Sequence, residues 1–289
     1  MANTRDIRRR IRSVSSTRQL TKAMKMVSAA RLRRSQQAIV AARPFAIRLA
    51  QVIQSLRARV NREAHPLLAP REAKRVEVVV ISGDRGLCGA FNSRILREAV
   101  EVIRAEEAAG REVTLQCVGK KGRDFFKRRR AVRREHAEFF RHIAYDDAAG
   151  VARELIQRYL NNETDGIILV YNEFKSALRQ DVVVERLLVS SVEELAGTEA
   201  MMSAEDYIYE PDEASLLDTL LPRYVEWQFY RAVLESAAAE HAARMAAMDS
   251  ATRNAGDLIE SLTLHLNRVR QASITREIIE VVSGADALG

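Results

Sequence analysis

Apolar residues near the N-terminus recur at alternating steps of three and four, the spacing that turns one face of a helix toward a partner helix. The stripe is regular over Leu32–Val60. The first 60 residues contain no glycine and one proline, Pro44, which should bend the helix or mark a weak point in it. The pattern predicts one long helix over residues 1–64. Further upstream the apolar positions continue in a shifted phase at Ile7, Ile11, Val14, Leu20, Met24 and Val27.

The C-terminal part of the chain carries a second stripe with the same steps. Nine of its twelve positions within Leu234–Ser273 are apolar, and a further stripe follows over Ile274–Leu288. We predict a helix over residues 212–289, with Asp212 or Ser215 as its N-cap. At 1.5 Å per residue, roughly 70 residues span about 105 Å, far more than the width of a globular domain. Such a helix needs a partner, and the N-terminal helix is the comparable element in the chain.

The two helices are therefore expected to fold back on each other as an antiparallel coiled coil. If Val60 lies near Asp212, the numbers of paired positions sum to about 272, and Met24 lies close to Met248. The N-terminal helix is then used up, and the chain from Val269 onward projects as a single helix without a partner in this chain.

The middle of the chain has a different pattern, in which short apolar runs alternate with amphipathic helical segments. This alternation is typical of a mostly parallel sheet covered by helices, so we predict a central Rossmann-like α/β domain over residues 74–208. The predicted strands are Val76–Ile81, Val113–Val118, Gly166–Tyr171 and Val182–Val189, and the predicted helices are Ser93–Ala108 and Ala148–Leu160. The fold class is α/β with a long coiled coil formed by the two chain ends.

The charge is distributed very unevenly along the chain. The net charge is +7, and the segment Arg5–Arg34 contains eleven Lys or Arg residues and a single acid. The segment Ser190–Leu221 contains nine acids and no Lys or Arg. A solvated helix face explains most charge runs, but this imbalance also predicts an acidic partner for the N-terminal helix. A nucleic acid or an acidic protein surface would serve.

The composition points away from several other classes. No apolar run approaches the ~20 residues of a membrane-spanning helix, and arginines occupy the place of a signal peptide's apolar core. Cys88 and Cys117 lie far apart, so we expect neither a disulfide framework nor a zinc site, and a reducing cytoplasm fits. The five histidines match no metal motif.

A glycine-rich turn follows the first predicted strand. Gly83, Gly86 and Gly89 resemble a phosphate-binding loop, but Gly89 is followed by Ala90 and no lysine is placed to reach a phosphate. The better interpretation is a tight strand-to-helix connection with a buried, structural Cys88.

Five segments, spread from one end of the chain to the other, carry distinctive motifs. They are Thr17–Arg33, Ser82–Asn92, Tyr207–Pro211, Ala243–Met248 and Arg270–Glu277, the last followed by Val282–Ala285. Together and in this order they resemble the gamma subunits of F-type ATP synthases.

The resemblance implies a non-catalytic subunit without a cofactor or metal site. It would form the central stalk, or rotor shaft, of a proton-translocating F-type ATP synthase and couple rotation of the c ring to ATP synthesis and hydrolysis at the beta subunits. The implied partners are the ring of alpha and beta subunits, the epsilon subunit and the ring of c subunits. The implied location is peripheral, at the cytoplasmic face of the bacterial plasma membrane, with no direct membrane insertion and no bound nucleic acid.

The resemblance also implies contact residues. An acidic loop of the beta subunit would meet the basic N-terminal helix. The implied contacts to the ring are Lys22, Met24, Lys25, Arg270, Gln271, Thr275, Glu277, Ile278 and Val282. The implied contacts at the foot, toward epsilon and the c ring, are Tyr207, Tyr209 and Glu210.

Two other classes of protein remain as alternatives at this point. One is a nucleotide-binding α/β enzyme with helical arms, which the missing lysine disfavours. The other is a nucleic-acid-binding protein that uses its basic helix, which would leave the apolar stripe within Ile7–Val27 exposed.

Overall fold

The computed structural model describes residues 4–59, 65–68, 71–177, 179–187 and 212–286. The helices are α1 (Thr4–Arg59), α2 (Phe91–Ala108), α3 (Lys120–Phe126), α4 (Tyr145–Leu160) and α5 (Glu213–Asp286). The strands are β1 (Arg75–Ile81), β2 (Glu112–Val118), β3 (Arg134–His136), β4 (Gly166–Phe174) and β5 (Gln180–Arg186). The chain forms two compact units, one from residues 1–28 and 244–289 and one from residues 29–243. Both α1 and α5 contribute to each unit.

The first unit is an antiparallel pair of helices. The Oγ1 atoms of Thr21 and Thr252 lie 2.8 Å apart, and Lys25 Nζ lies 2.6 Å from an Asp249 carboxylate oxygen. The residue numbers of these pairs sum to 273 and 274. The predicted register is therefore confirmed to within two residues.

The predicted contact stripe on α5 is confirmed in this unit. Met248 and Ala255 are buried, and Ile259, Leu262 and Leu266 are half-buried at the following steps of three and four. Outside the stripe, Leu258 and Leu264 are 48% and 55% exposed. The stripe therefore faces α1.

The predicted stripe on α1 is wrong at Leu20 and Val27, whereas Met24 between them is half-buried. Leu20 and Val27 are 61% and 53% exposed, whereas Thr21 and Ser28 are buried. Counting back from Leu32 in steps of four and three leads to Ser28, Lys25 and Thr21. The same face of α1 therefore continues to contact α5, and in this stretch that face carries polar side chains. These hydroxyls bond to the carbonyls of their own helix, Ser28 to Met24 at 2.8 Å and Thr21 to Arg18 at 3.0 Å. Burial therefore leaves neither hydroxyl unsatisfied.

The second unit contains a five-stranded sheet in the order β3-β2-β1-β4-β5. β1, β2, β3 and β4 run parallel, and β5 pairs antiparallel with β4. The mostly parallel sheet of the prediction is confirmed. The prediction missed β3, which has only three residues with a polar sequence, and it missed α3, which has only seven residues.

Helices cover both faces of this sheet. One core packs the side chains of Val76, Val78 and Val80 with those of α2. On the other face, Val79 and Ile81 pack with α4, with part of α1 and with the segment of α5 that contains Phe229. Because α5 meets the sheet and other helices here, it is buried on several sides, which explains why its apolar pattern is broader than a single stripe. The N-cap of α5 is Asp212, which accepts the Ser215 N–H at 2.9 Å as predicted.

A charged residue lies inside this unit on the middle strand. Glu77 is completely buried and accepts bonds from Arg133 and Arg158, with ion-pair distances of 2.6 and 2.8 Å. Arg133 also reaches Glu154 of α4 at 2.8 Å. A buried carboxylate without partners would be costly, so the two arginines hold α4 and the segment before β3 against β1.

The glycine-rich turn after β1 is a structural junction. The Asp84 carboxylate accepts the backbone N–H groups of Lys120, Glu138 and Phe140 at 2.9–3.0 Å and so links the segments that follow β1, β2 and β3. Asn92 Oδ1 accepts the Gly83 N–H at 3.0 Å. These N–H groups are thus occupied by side chains of the same chain. Cys88 is buried, as predicted.

At this junction, Gly119 is the glycine that leaves the least space for a side chain. Its φ is +96°, and an added Cβ would lie 2.0 Å from the Ser82 carbonyl oxygen. We expect Gly119→Ala to lower the free energy of unfolding by about 3 kcal/mol, because the strained backbone and the overlap both have to be relieved. Urea denaturation of the purified chain measures this change.

Gly150 provides the matched control. It lies inside α4, and an added Cβ would meet nothing within 4 Å. Gly150→Ala should raise the free energy of unfolding by about 0.5–1 kcal/mol, since alanine favours the helix. Equal stabilities of the two variants would contradict the role of Gly119.

Candidate functional site

The predicted ring-contact residues of α1 lie in the first unit but differ in exposure. Lys22 is exposed and has no ion-pair or hydrogen-bond partner among the described residues. Met24 is half-buried. Lys25 already has a partner in this chain, because its ammonium group pairs with Asp249 and leaves 44% of its side chain exposed.

Asp249 is the centre of a small charged cluster between the helices. The hydrogen bond from Lys25, together with the charges of Lys25 and Arg253, holds the pKa of the Asp249 carboxyl below its ordinary value, although partial desolvation opposes this. Arg253 Nη2 lies 3.3 Å from the second carboxylate oxygen. The carboxylate therefore stays charged at neutral pH and pairs with two cations, Lys25 and Arg253. Arg253 thus joins Lys25 and Asp249 in one charged cluster.

The predicted contact residues of α5 lie on a helix that is exposed on every side. All residues from 270 to 283 are exposed, including Arg270, Gln271 and Thr275. Glu277 accepts a hydrogen bond from Ser273 at 3.1 Å within the same helix. The register explains where this exposure begins, because Thr4, the first described residue of α1, pairs with about residue 269.

Large apolar side chains are frequent on this single helix. At 3.6 residues per turn they occupy about half of its circumference, interspersed with Gln271 and Thr275, and the charged residues occupy the rest. Their exposed fractions are 48% for Ile274, 57% for Ile278, 58% for Ile279, 72% for Val281 and 55% for Val282. Exposed apolar surface of this kind is typical of protein interaction sites.

The two groups of predicted ring contacts form separate bands. In the observed register Lys22 pairs with about residue 251, which is 19 residues before Arg270 on α5. At 1.5 Å per residue the separation along the helix is about 28 Å. The foot residues Tyr207, Tyr209 and Glu210 lie outside the described residues.

Sequence reasoning missed part of the α1 band. Leu20, Met26 and Val27 are 53–61% exposed, and Met26 lies one turn from Lys22, whereas the apolar pattern placed Leu20 and Val27 in the contact between the helices. An unbroken count of the helical phase back from Leu32 would have shown their outward position. The outer surface of α1 therefore combines apolar and basic residues.

An antiparallel helix pair with one helix continuing alone, in a chain that also forms an α/β unit, defines a stalk-type subunit. The structure is similar to the central stalk and c-ring of Tetrahymena thermophila mitochondrial ATP synthase, with 27% identity, a TM-score of 0.62, and coverage of 80% of this chain and 99% of that chain. It also shares the fold of the Euglena gracilis mitochondrial enzyme, with 21% identity, a TM-score of 0.67, and coverage of 99% and 94%.

Residues 3–288 match the family model described as ATP synthase. The chain is 50% identical to the ATP synthase gamma chain of Anaeromyxobacter sp. (strain K), over 100% of both chains. It is also 50% identical to that of Solibacter usitatus, over 98% of both chains. The chain belongs to the ATP synthase gamma chain family. It is a non-catalytic central-stalk subunit of an F-type ATP synthase, and the nucleic-acid-binding and nucleotide-enzyme alternatives no longer apply.

Cysteine cross-linking tests the register between the helices. Because the two hydroxyl oxygens are 2.8 Å apart, Thr21→Cys with Thr252→Cys should form a disulfide rapidly under mild oxidation. Non-reducing electrophoresis with mass spectrometry of the digested chain detects the bond. The native Cys88 and Cys117 are buried and should not compete.

The control pairs Thr21→Cys with Ile259→Cys, two turns or about 10 Å farther along α5. This pair should cross-link far more slowly. Equal rates for the two pairs would show that the helices slide or pair in another register.

Proposed function

We propose that this chain is the rotating shaft that couples the turning of a c ring to ATP synthesis and hydrolysis at beta subunits. The exposed apolar end of α5 carries this proposal. Its partners are the alpha and beta subunits, which surround the first unit, and the epsilon and c subunits at the foot. The Tetrahymena thermophila structure that resembles the chain supports the c ring among these partners, since its assembly is named as central stalk and c-ring.

The apolar half of the single helix is suited to a bearing. Water disfavours exposed apolar surface by ~25 cal/mol per Å², so Ile274, Ile278 and Val282 favour a protein sleeve. Aliphatic side chains form no directional hydrogen bonds that would have to break at each step of rotation. In this proposal Arg270, Gln271, Thr275 and Glu277 are the polar contacts of the same segment with the ring.

The ring-contact residues of α1, namely Lys22, Met24 and Lys25 (the α1 band), are suited to contact with an acidic surface. The arginines and lysines of α1 near Lys22 are exposed, and most have no acidic partner among the described residues. An acidic loop of the beta subunit would complement this charge, with Lys22 and Lys25 as its cations and Met24 beside them. Pairing of Lys25 with Asp249 orients one of these cations and leaves part of it accessible.

We place the foot contacts at Tyr207, Tyr209 and Glu210, and we divide the chain into an N-terminal helix (1–64), an α/β domain (74–208) and a C-terminal helix (212–289). The complex would lie at the cytoplasmic face of a bacterial plasma membrane, with this chain peripheral. Among the described residues, no helix combines the length and the apolar character needed to cross a membrane.

Charge reversal at Lys22 tests the proposed contact between the α1 band and an acidic loop. Exposed charges contribute only about 0–1 kcal/mol to stability, so Lys22→Glu should leave the melting temperature nearly unchanged. In the assembled enzyme it should lower the number of ions pumped per ATP hydrolysed, because the acidic loop would be repelled. Pumping and hydrolysis in inverted membrane vesicles give this ratio.

Lys22→Arg is the matched control, since it keeps the charge at the same place. It should retain the wild-type ratio. If Lys22→Glu also retained it, the contact between this band and an acidic loop would be refuted.

A charge at Val282 tests the bearing. Val282→Asp should strongly reduce recovery of assembled complex, because an unpaired carboxylate inside an apolar sleeve costs several kcal/mol. Val282→Ala removes volume without adding charge and should assemble nearly as well as wild type. The measurement is the amount of alpha and beta subunits that co-purify with the tagged chain. Wild-type recovery with Val282→Asp would exclude an apolar sleeve at this position.

A further inference from the structure

A cavity of about 510 Å³ lies in the second unit, where α1, α4 and α5 meet. Its volume is within the ~300–1,000 Å³ of small-molecule sites. Four aromatic rings line it: Phe45 from α1, Tyr145 from α4, and Trp227 and Tyr230 from α5. Lining of this kind favours a flat ligand, because aromatic rings stack on one another with geometry-dependent gains beyond burial. The stalk function described above makes no use of this cavity.

One wall of the cavity is held in place by a buried carboxylate. The side chain of Glu226 is 7% exposed and accepts the Tyr145 hydroxyl at 3.0 Å and the Arg153 Nε–H at 2.7 Å. The Tyr145 ring contacts the Tyr230 ring edge-on, with centroids 5.5 Å apart. Burial and the bond to Glu226 raise the pKa of Tyr145 to about 12, so its hydroxyl remains a donor at neutral pH. A ligand would therefore meet side chains that are already ordered.

The charge of the cavity is positive. Arg153 is neutralised by its pair with Glu226, but Arg223 is exposed and has no partner among the described residues. Arg223 faces this site closely enough for its charge to oppose the rise in the pKa of Tyr145. One guanidinium group therefore remains to bind an anion, with donors that fit two oxygens at once.

The mouth of the cavity has an apolar edge. The Phe45 ring is 54% exposed, so a flat ligand would bury part of it. A site with aromatic walls and one free guanidinium group matches a ring system that carries a single acidic group. Arg153, Arg223 and Glu226 give the cavity a net charge of +1, which a monoanion balances, whereas a neutral ring would gain nothing from Arg223 and a dianion would exceed this charge.

We propose that this cavity binds a planar aromatic monoanion, such as an aromatic sulfonate or carboxylate. The ring system stacks among Phe45, Trp227 and Tyr230, and the acidic group binds Arg223. Because the site takes side chains from α1, α4 and α5, a bound ligand links these three helices within the second unit. The site gives the chain a small-molecule ligand in addition to its role in the stalk.

Trp227 makes the test specific, since it is the only tryptophan of the chain. The full chain with fluorotryptophan at this position carries one fluorine reporter in the cavity wall. We expect naphthalene sulfonate to shift this single fluorine NMR resonance in a saturable manner. A ligand of this size should bind with a dissociation constant of the order of tens of micromolar.

Matched variants and a matched ligand test the recognition. Arg223→Gln should weaken binding about tenfold, the loss expected for one charge-assisted hydrogen bond. Phe45→Ala should weaken it by roughly fivefold, and Arg97→Gln, which removes an exposed cation of α2, should not change it. Methyl naphthyl sulfone, the neutral counterpart, should bind about tenfold more weakly than the sulfonate.

Three results would each overturn the proposal. They are a fluorine resonance that naphthalene sulfonate does not shift, wild-type affinity in Arg223→Gln, and equal affinity for the sulfonate and the neutral sulfone. Because Arg223 and Phe45 are exposed, both variants should keep the wild-type melting temperature, and a loss of binding then reports on the site.

Discussion

The first unit depends on the antiparallel register of α1 and α5. Thr21 with Thr252 and Lys25 with Asp249 set this register through short polar contacts, and the apolar stripe of α5 follows it. Since α1 is the shorter helix, a fixed register leaves the end of α5 uncovered from about residue 270 onward. The exposed apolar end is therefore a direct consequence of unequal helix lengths. A stalk that has to contact a surrounding ring benefits from this arrangement, because the contact surface does not depend on any further fold element.

The second unit shows how polar groups can stabilise an α/β fold without forming an active site. Asp84 accepts hydrogen bonds from three backbone N–H groups of the segments that follow β2 and β3, and Glu77 binds two arginines inside the unit. A glycine-rich turn after a parallel strand is thus insufficient to identify a nucleotide site, since in this turn the Asn92 side chain already accepts the Gly83 N–H.

Several elements could be predicted from the residues alone, and the reasons are local. The strands β1, β2 and β4 are mostly apolar, and Asp212 directly precedes a long helix. The α5 stripe keeps strict steps of three and four, so its phase needed no partner to interpret. β3 could not be predicted, because it consists of three polar residues that form a strand through pairing with β2. The outward position of Leu20 and Val27 was missed, because these residues were assigned to the contact face for being apolar, although they do not continue the spacing of the stripe that includes Leu32.

By itself the sequence determined the family, the α/β class, the antiparallel pairing and the uncovered end of α5, because these follow from motif order, from helix length and from periodicity. Tertiary structure alone decided that Thr21 and Ser28 are buried between the two helices and that Lys25 pairs with Asp249. It also decided that the Asp84 carboxylate, next to Gly83, binds backbone N–H groups of two other segments. It also brought Phe45, Tyr145 and Trp227, far apart in the chain, to one cavity. The physical reason is that satisfaction of a buried polar group and closure of a cavity depend on partners distant in sequence, which periodicity does not encode.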